Sequence, residues 1–174
     1  MSLPESSNVI TEWTGAELSQ RIHAREVACR EVMQAYLDRI DALNPQVNAI
    51  VSRVDPSVLM ETAAERDREL AAGRSRGWLH GFPMALKDVV ATKGITTTIG
   101  SPLLGNNIPD YDDIQSERLK AAGAIVIGKT NVPEFGLGSH TYNNVFGATR
   151  NAYCGDRVAG GSSGGAAVAP KTLL

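Results

Sequence analysis

Gly160-Gly161-Ser162-Ser163-Gly164-Gly165 is the stretch on which the interpretation of this 174-residue sequence turns. Two serines between paired glycines put hydroxyls on a nearly bare backbone, where a reacting group can come close. Three interpretations compete. A phosphate cradle of the P-loop type requires a lysine and then Ser or Thr after the last glycine, but Gly165 is followed by Ala166-Ala167-Val168. Gly160 to Gly164 satisfies G-x-S-x-G, with Ser162 as candidate nucleophile. A nucleophile elbow takes its acid and histidine from later in the chain, however, and no Asp, Glu or His follows Gly165. The third possibility is a glycine-rich turn whose serines cap a helix beginning near Ala166.

A second element upstream favours chemistry over a plain turn. Gly81-Phe82-Pro83-Met84-Ala85-Leu86-Lys87-Asp88-Val89-Val90 flanks Lys87 with apolar residues and predicts a mostly buried strand over Phe82 to Val90. Burial disfavours a charged amine, and a neutral lysine can serve a serine hydroxyl as general base. Ser-Lys pairs are among the convergent variants of the serine triad. The competing expectation for Lys87 is a salt bridge to Asp88 or another acid.

Four blocks together resemble the amidase signature family, in the family's own order. They are Gly81 to Val90; Ala91 to Ser101; Leu119-Lys120-Ala121-Ala122-Gly123-Ala124-Ile125-Val126-Ile127-Gly128-Lys129-Thr130-Asn131; and Gly160 to Ala167. The resemblance runs from about Leu18 to Val168. It implies a three-layer α/β/α fold with a mixed sheet, preceded by helices and present here only in part, and a Ser-cisSer-Lys triad that hydrolyses linear carboxamides through an acyl-enzyme. Carried over by position, Lys87 is similar to the family's catalytic lysine and Ser162 to the bridging serine after a cis peptide bond. Gly160, Gly161, Ser163, Gly164 and Gly165 then form the supporting loop. The family's acylated serine and oxyanion hole lie roughly two dozen residues beyond the bridging serine, a count that passes Leu174, so the chain alone is expected to be inactive. Gly138 and Ser139, in the polar segment Gly136 to Gly147, become candidate substrate contacts, with an ordinary loop as the alternative. Ala152 and Ala159 depart from the family pattern at positions where proline is common.

Composition adds exclusions. A net charge of −2 supplies no basic field for nucleic acid, and no stretch approaches the ~18 apolar residues of a membrane span. Met1-Ser2-Leu3-Pro4-Glu5 lacks the basic and apolar regions of a signal peptide, which with unpaired Cys29 and Cys154 predicts a cytoplasmic protein. His23, His80 and His140 are too scattered for a zinc motif, and the implied chemistry requires no metal or organic cofactor. The expected partners are therefore a small-molecule amide substrate, with no nucleic acid or membrane, and a possible homodimer. The alternatives are a non-catalytic binding fragment and the amidase-like subunit of a tRNA-dependent amidotransferase.

Glycine usage divides the chain into an N-terminal helical segment, 1–75, and the first part of an α/β core, 76–174. Thr14-Gly15-Ala16-Glu17 forms a capping box ahead of Leu18 and Ile22. Ala28, Val32, Ala35 or Tyr36, Ile40 and Leu43 keep helical spacing until Asn44-Pro45, where a stop is expected. Asp55-Pro56 begins a third helix whose face is Leu59, Ala63, Arg66 and Leu70. Downstream, a helix over 114–122 and a doubly buried strand over 124–127 predict a parallel pair with Lys87's strand, and Asn131 is expected to cap another helix.

Overall fold

The computed structural model describes residues 5–171, so the reading of Met1 to Pro4 as free of a leader falls outside the described residues. The N-terminal part carries four helices, α1 (Glu5–Glu12), α2 (Gly15–Ala24), α3 (Cys29–Val47) and α4 (Pro56–Ala71), with one short strand between the last two. Thr14 Oγ1 accepts the Glu17 N–H at 3.3 Å while the Glu17 carboxylate accepts the Thr14 N–H at 2.8 Å, which satisfies two otherwise orphaned donors at the start of α2. Asp55 caps α4 by accepting the Ser57 N–H at 2.8 Å, with Pro56 in the first turn, and Leu59, Ala63, Arg66 and Leu70 are all buried.

The expected stop at Asn44-Pro45 is not observed, because α3 runs through Pro45 to Val47. A proline so near a helix end removes a single hydrogen bond, far less disruptive than one in mid-helix. Asn44 instead redirects the chain beyond the helix. Its Oδ1 accepts the Ala49 and Ile50 N–H groups, and its Nδ2 donates to the Ile50 carbonyl.

That redirection produces strand β1 (Ile50–Val51) within the N-terminal helical segment, where no strand was expected. β1 pairs antiparallel with β3 (Ile125–Thr130), which pairs parallel with β2 (Pro83–Lys87), giving the mixed order β1-β3-β2. Helix α5 (Ile114–Ala121) lies between β2 and β3 in the chain. The β2 strand is shorter than the apolar run suggested, since the chain turns at its end with Val90 N–H donating to Lys87 O.

The register of β2 on β3 slips by one residue: Met84 faces Val126, but Ala85 faces Gly128. Ile127 is the extra residue, and its carbonyl leaves the ladder to accept the Val54 N–H at 3.0 Å. Gly128 beside it is crowded by backbone, for a Cβ there would lie 3.0 Å from Val51 O and 3.1 Å from Arg53 Cα.

Helices α2, α3 and α4 pack Leu18, Ile22, Val32, Met33 and Leu59 against Phe82, Ile125 and Ile127 of the sheet region. Each such side chain contributes about 1.5 to 3 kcal/mol on full burial. The exposed Arg21–Glu26 and Arg68–Glu61 pairs contribute about 1 kcal/mol or less each, so the apolar core carries the fold. A smaller cluster of Ala49, Ile50, Ala159, Val168 and Ala169 seats α6 (Gly164–Lys171) beside β2 and β3. Pro170 lies inside the last turn of α6.

Asn131 does not cap a helix. It is fully buried at the end of β3, where its Oδ1 accepts from Val132 N–H and Asn143 Nδ2 and its Nδ2 donates to Gly147 O and Thr149 Oγ1. The short 3₁₀ turn after it, Glu134–Gly136, starts at Pro133. Asn131 therefore ties β3 to the two-residue strands β4 (Tyr142–Asn143) and β5 (Gly147–Ala148), which form a hairpin.

Candidate active site

β2 delivers Lys87 to the mouth of the loop that precedes α6, and Lys87 Nζ donates to Ser162 Oγ at 2.9 Å. The peptide bond between Gly161 and Ser162 is cis. Asp88, the next residue along, turns away. Its buried carboxylate accepts from Thr98 N–H and Oγ1 at 3.1 and 2.6 Å and from Gly100 N–H at 3.4 Å. The competing Lys87–Asp88 salt bridge is therefore not what the structure builds. Burial pushes the Asp88 carboxyl up, against the pull of those hydrogen bonds and of the Lys129 charge.

The glycines of the loop are not equivalent. A Cβ on Gly161 would lie 2.6 Å from Gly138 O, one on Gly164 would overlap the Thr141 side chain, and one on Gly165 would strike backbone of Asn131 and Ala49. Around Gly160 there is open space. Gly161 N–H donates to Ser139 O at 2.8 Å, and Gly165 N–H to Asn131 O at 3.2 Å. Ser163 O accepts the Ala167 N–H at 2.9 Å, in the first turn of α6.

Gly138 and Ser139 thus lie directly against the serine loop. They also line a cavity of about 450 Å³ together with Phe135, Leu137, His140 and Tyr142, which neither Lys87 nor Ser162 lines. Phe135 holds a left-handed backbone conformation, φ 56°, and its N–H donates to the carbonyl of Ile99, itself at φ 53°. Two bulky residues in that region, hydrogen-bonded to each other beside a cavity, are where a fold stores strain near a site.

Sequence reasoning placed the buried ammonium at Lys87, but the structure leaves Lys87 half-buried and buries Lys129 completely. The sheet order explains this, since β3 is central and β2 lies at the edge among the described strands. Lys129 Nζ donates to the Val90 carbonyl and to Thr92 Oγ1, and burial lowers its pKa to about 8, opposed by Asp88. The signal was present as one lysine inside the apolar run Ile125 to Thr130. Among the described residues, no group of three or more His, Cys, Asp or Glu side chains is placed to hold a metal ion.

A family model described as Amidase matches residues 31–170. The chain belongs to the amidase family. It is 47% identical over 156 residues to a glutamyl-tRNA(Gln) amidotransferase subunit of Acidothermus cellulolyticus, covering 90% of this chain and 31% of that protein. The corresponding subunit of Thermosynechococcus vestitus is 44% identical over 153 residues, covering 88% of this chain and 32% of that one. Among solved structures, a fatty acid amide hydrolase superposes with TM-score 0.89 at 26% identity, over 98% of this chain and 30% of that one. Peptide amidase from Stenotrophomonas maltophilia gives TM-score 0.83 at 39% identity, over 91% and 34%. The helices and mixed sheet are those of this family, and the chain spans about a third of the length of the curated relatives it matches.

These relatives correct the expected partners. They are named as one component of a multi-part enzyme, an amidotransferase named for a tRNA, so the expectation of no nucleic acid and a possible homodimer is not supported. The net charge of one chain constrains only its own average field. It says nothing of what a component meets through the rest of an assembly. Among the described residues no helix is long and apolar enough to cross a membrane.

Proposed function

We propose that this amidase acts on linear carboxamides through a Ser-cisSer-Lys relay in which Lys87 is the general base and Ser162 the bridging hydroxyl. The carrying observation is the 2.9 Å hydrogen bond from Lys87 Nζ to Ser162 Oγ, formed across 75 residues of sequence. In this relay Lys87 accepts a proton from Ser162, and Ser162 accepts one from the attacking serine. That serine belongs, by family resemblance, to sequence beyond this chain, so these 174 residues alone are not expected to turn over an amide. Attack on the carbonyl gives an acyl-enzyme; the departing amine takes its proton back along the relay, and water releases the acid.

Gly138 and Ser139 are proposed as substrate contacts, supported by the cavity they line and by their contacts with Gly161. Gly160, Gly161, Ser163, Gly164 and Gly165 are proposed as the support that holds Ser162 in place. The division at about residue 75 is likewise proposed as the boundary between helical segment and α/β core. Assignment to the cytoplasm is supported by Cys29 and Cys154 both being free thiols.

The test is an amide-hydrolysis assay on the full-length gene product. Lys87→Ala is expected to lower kcat by about 10²- to 10⁴-fold. Rates near the parent's would overturn the assignment.

The names of the relatives favour a second reading, the amidase-like subunit of a tRNA-dependent amidotransferase, which by family resemblance hydrolyses an amide and passes the ammonia to a partner protein. Glutaminase activity that appears only with copurified partners would select it; free hydrolysis of simple amides by the isolated protein would select the first.

A further inference from the structure

Thr141 is fully buried, although Ser139, His140 and Tyr142 around it are all exposed. Its hydroxyl donates to Gly160 O at 3.1 Å and accepts the Gly164 N–H at 3.0 Å. One oxygen therefore joins the residue just before Gly161-Ser162-Ser163 to the residue just after them. The Thr141 backbone is fixed independently, with its N–H on Ala159 O and its carbonyl taking the Thr149 N–H, each at 2.9 Å. Gly164 is matched to this arrangement, since a Cβ there would overlap Oγ1 and Cβ of Thr141.

We propose that Thr141 is a positioning residue for Ser162: its hydroxyl staples the two ends of the serine loop and so holds Ser162 Oγ at hydrogen-bond distance from Lys87 Nζ. The proposal rests on the proton-relay reading of that pair. Between the staple points, the loop backbone is tied to a neighbouring segment by Gly161 N–H to Ser139 O, and that tether lies before Ser162. The staple at Gly164 constrains the chain on the far side. A hydroxyl can do this where a methyl cannot, because the two partners are an acceptor and a donor and only O–H answers both.

The backbone anchors of Thr141 survive replacement of its side chain, so Thr141→Val keeps shape while removing the staple, and Thr141→Ser restores the hydroxyl. In the full-length protein, Thr141→Val is expected to lower kcat by about 10- to 100-fold with KM changed less than about 3-fold, as a displaced relay group should. Thr141→Ser should recover most of the loss. Hydrogen exchange at the Gly164 amide should accelerate by about 10-fold or more in Thr141→Val, while the Gly165 amide, held by Asn131 O, keeps its protection.

If Lys87→Ala is inactive and Thr141→Val turns over like the parent, the positioning role falls and the relay stands. A rise in KM alone would also overturn it, by making Thr141 a substrate contact. If Lys87→Ala is as active as the parent, the relay falls and the positioning role falls with it.

Discussion

Two lysines lie in the last two positions of neighbouring strands of one sheet, Lys87 at the end of β2 and Lys129 one residue before the end of β3, and they live in opposite circumstances. Lys129, on the central strand, is sealed from water with its ammonium between a carbonyl and a hydroxyl, and its pKa is lowered to about 8. Lys87, on β2, is half-buried and bonded to one serine hydroxyl in a glycine-rich loop. Desolvation alone would nominate Lys129 as the reactive amine. Yet the groups around Lys129 are the fixed carbonyl of Val90 and a buried threonine that also pairs with Ser116. The difference teaches that depth of burial alone does not single out the lysine of the proposed relay: Lys129 is held inside the structure by a carbonyl and a buried hydroxyl, whereas Lys87 reaches across to a hydroxyl in a glycine-rich loop.

The largest expected effect breaks the comparison on the Lys87 side. Lys87→Ala should lower kcat of the full-length protein by about 10²- to 10⁴-fold while thermal unfolding shifts little, because a half-buried side chain with one hydrogen bond carries little of the fold. Lys129→Met should do the reverse, and its signature is in the pH dependence of stability. The folded pKa of Lys129 is about 8 against 10.5 for the free group, so between those values the unfolded chain holds the extra proton. The ammonium's burial cost is thus felt below pH 8, and stability rises by up to about 3 kcal/mol as pH climbs from 8 to 10.5. Cys29, whose thiol burial pushes up to about 12 from 9, opposes that rise from pH 9 upward. The difference between parent and Lys129→Met in urea unfolding isolates the lysine, and a difference flat from pH 8 to 10.5 would contradict its assignment.

Smaller effects sharpen the contrast within the loop that Lys87 addresses. Gly165→Ala should cost about 1 to 3 kcal/mol, since the new methyl meets backbone of Asn131 and Ala49 that cannot rotate aside. Gly160→Ala, with nothing within 4 Å, should change stability by about 0.5 kcal/mol or less. Equal costs in chemical denaturation would mean that the loop is not held as described.

Local grammar made the helices legible. The Thr14–Glu17 box, the Asp55-Pro56 start and the face Leu59, Ala63, Arg66, Leu70 are short-range features, and the chain follows them. Asn44-Pro45 misled because its side-chain amide acts on residues after the helix, and Asn131 because a capping side chain and a buried network node are the same residue type in sequence. The Lys87–Ser162 contact was legible through the family resemblance, as a pair in order along the chain. Thr141 was not. Its two partners lie 19 and 23 residues downstream, and no spacing rule links a threonine in a polar loop to the ends of another loop.

The extra residue Ile127 in β3 acts as a counter of odd and even. Across the slipped register, Lys87 stands opposite Thr130, and Lys129 stands opposite Leu86, which sends the two ammonium groups to opposite faces of the sheet. Had the pairing that joins Met84 to Val126 simply continued, with Ile127 taking its turn in the ladder, Lys87 would face Lys129, two cations side by side on the surface that serves Ser162. The sheet can carry a second lysine beside its first only because its central strand miscounts by one.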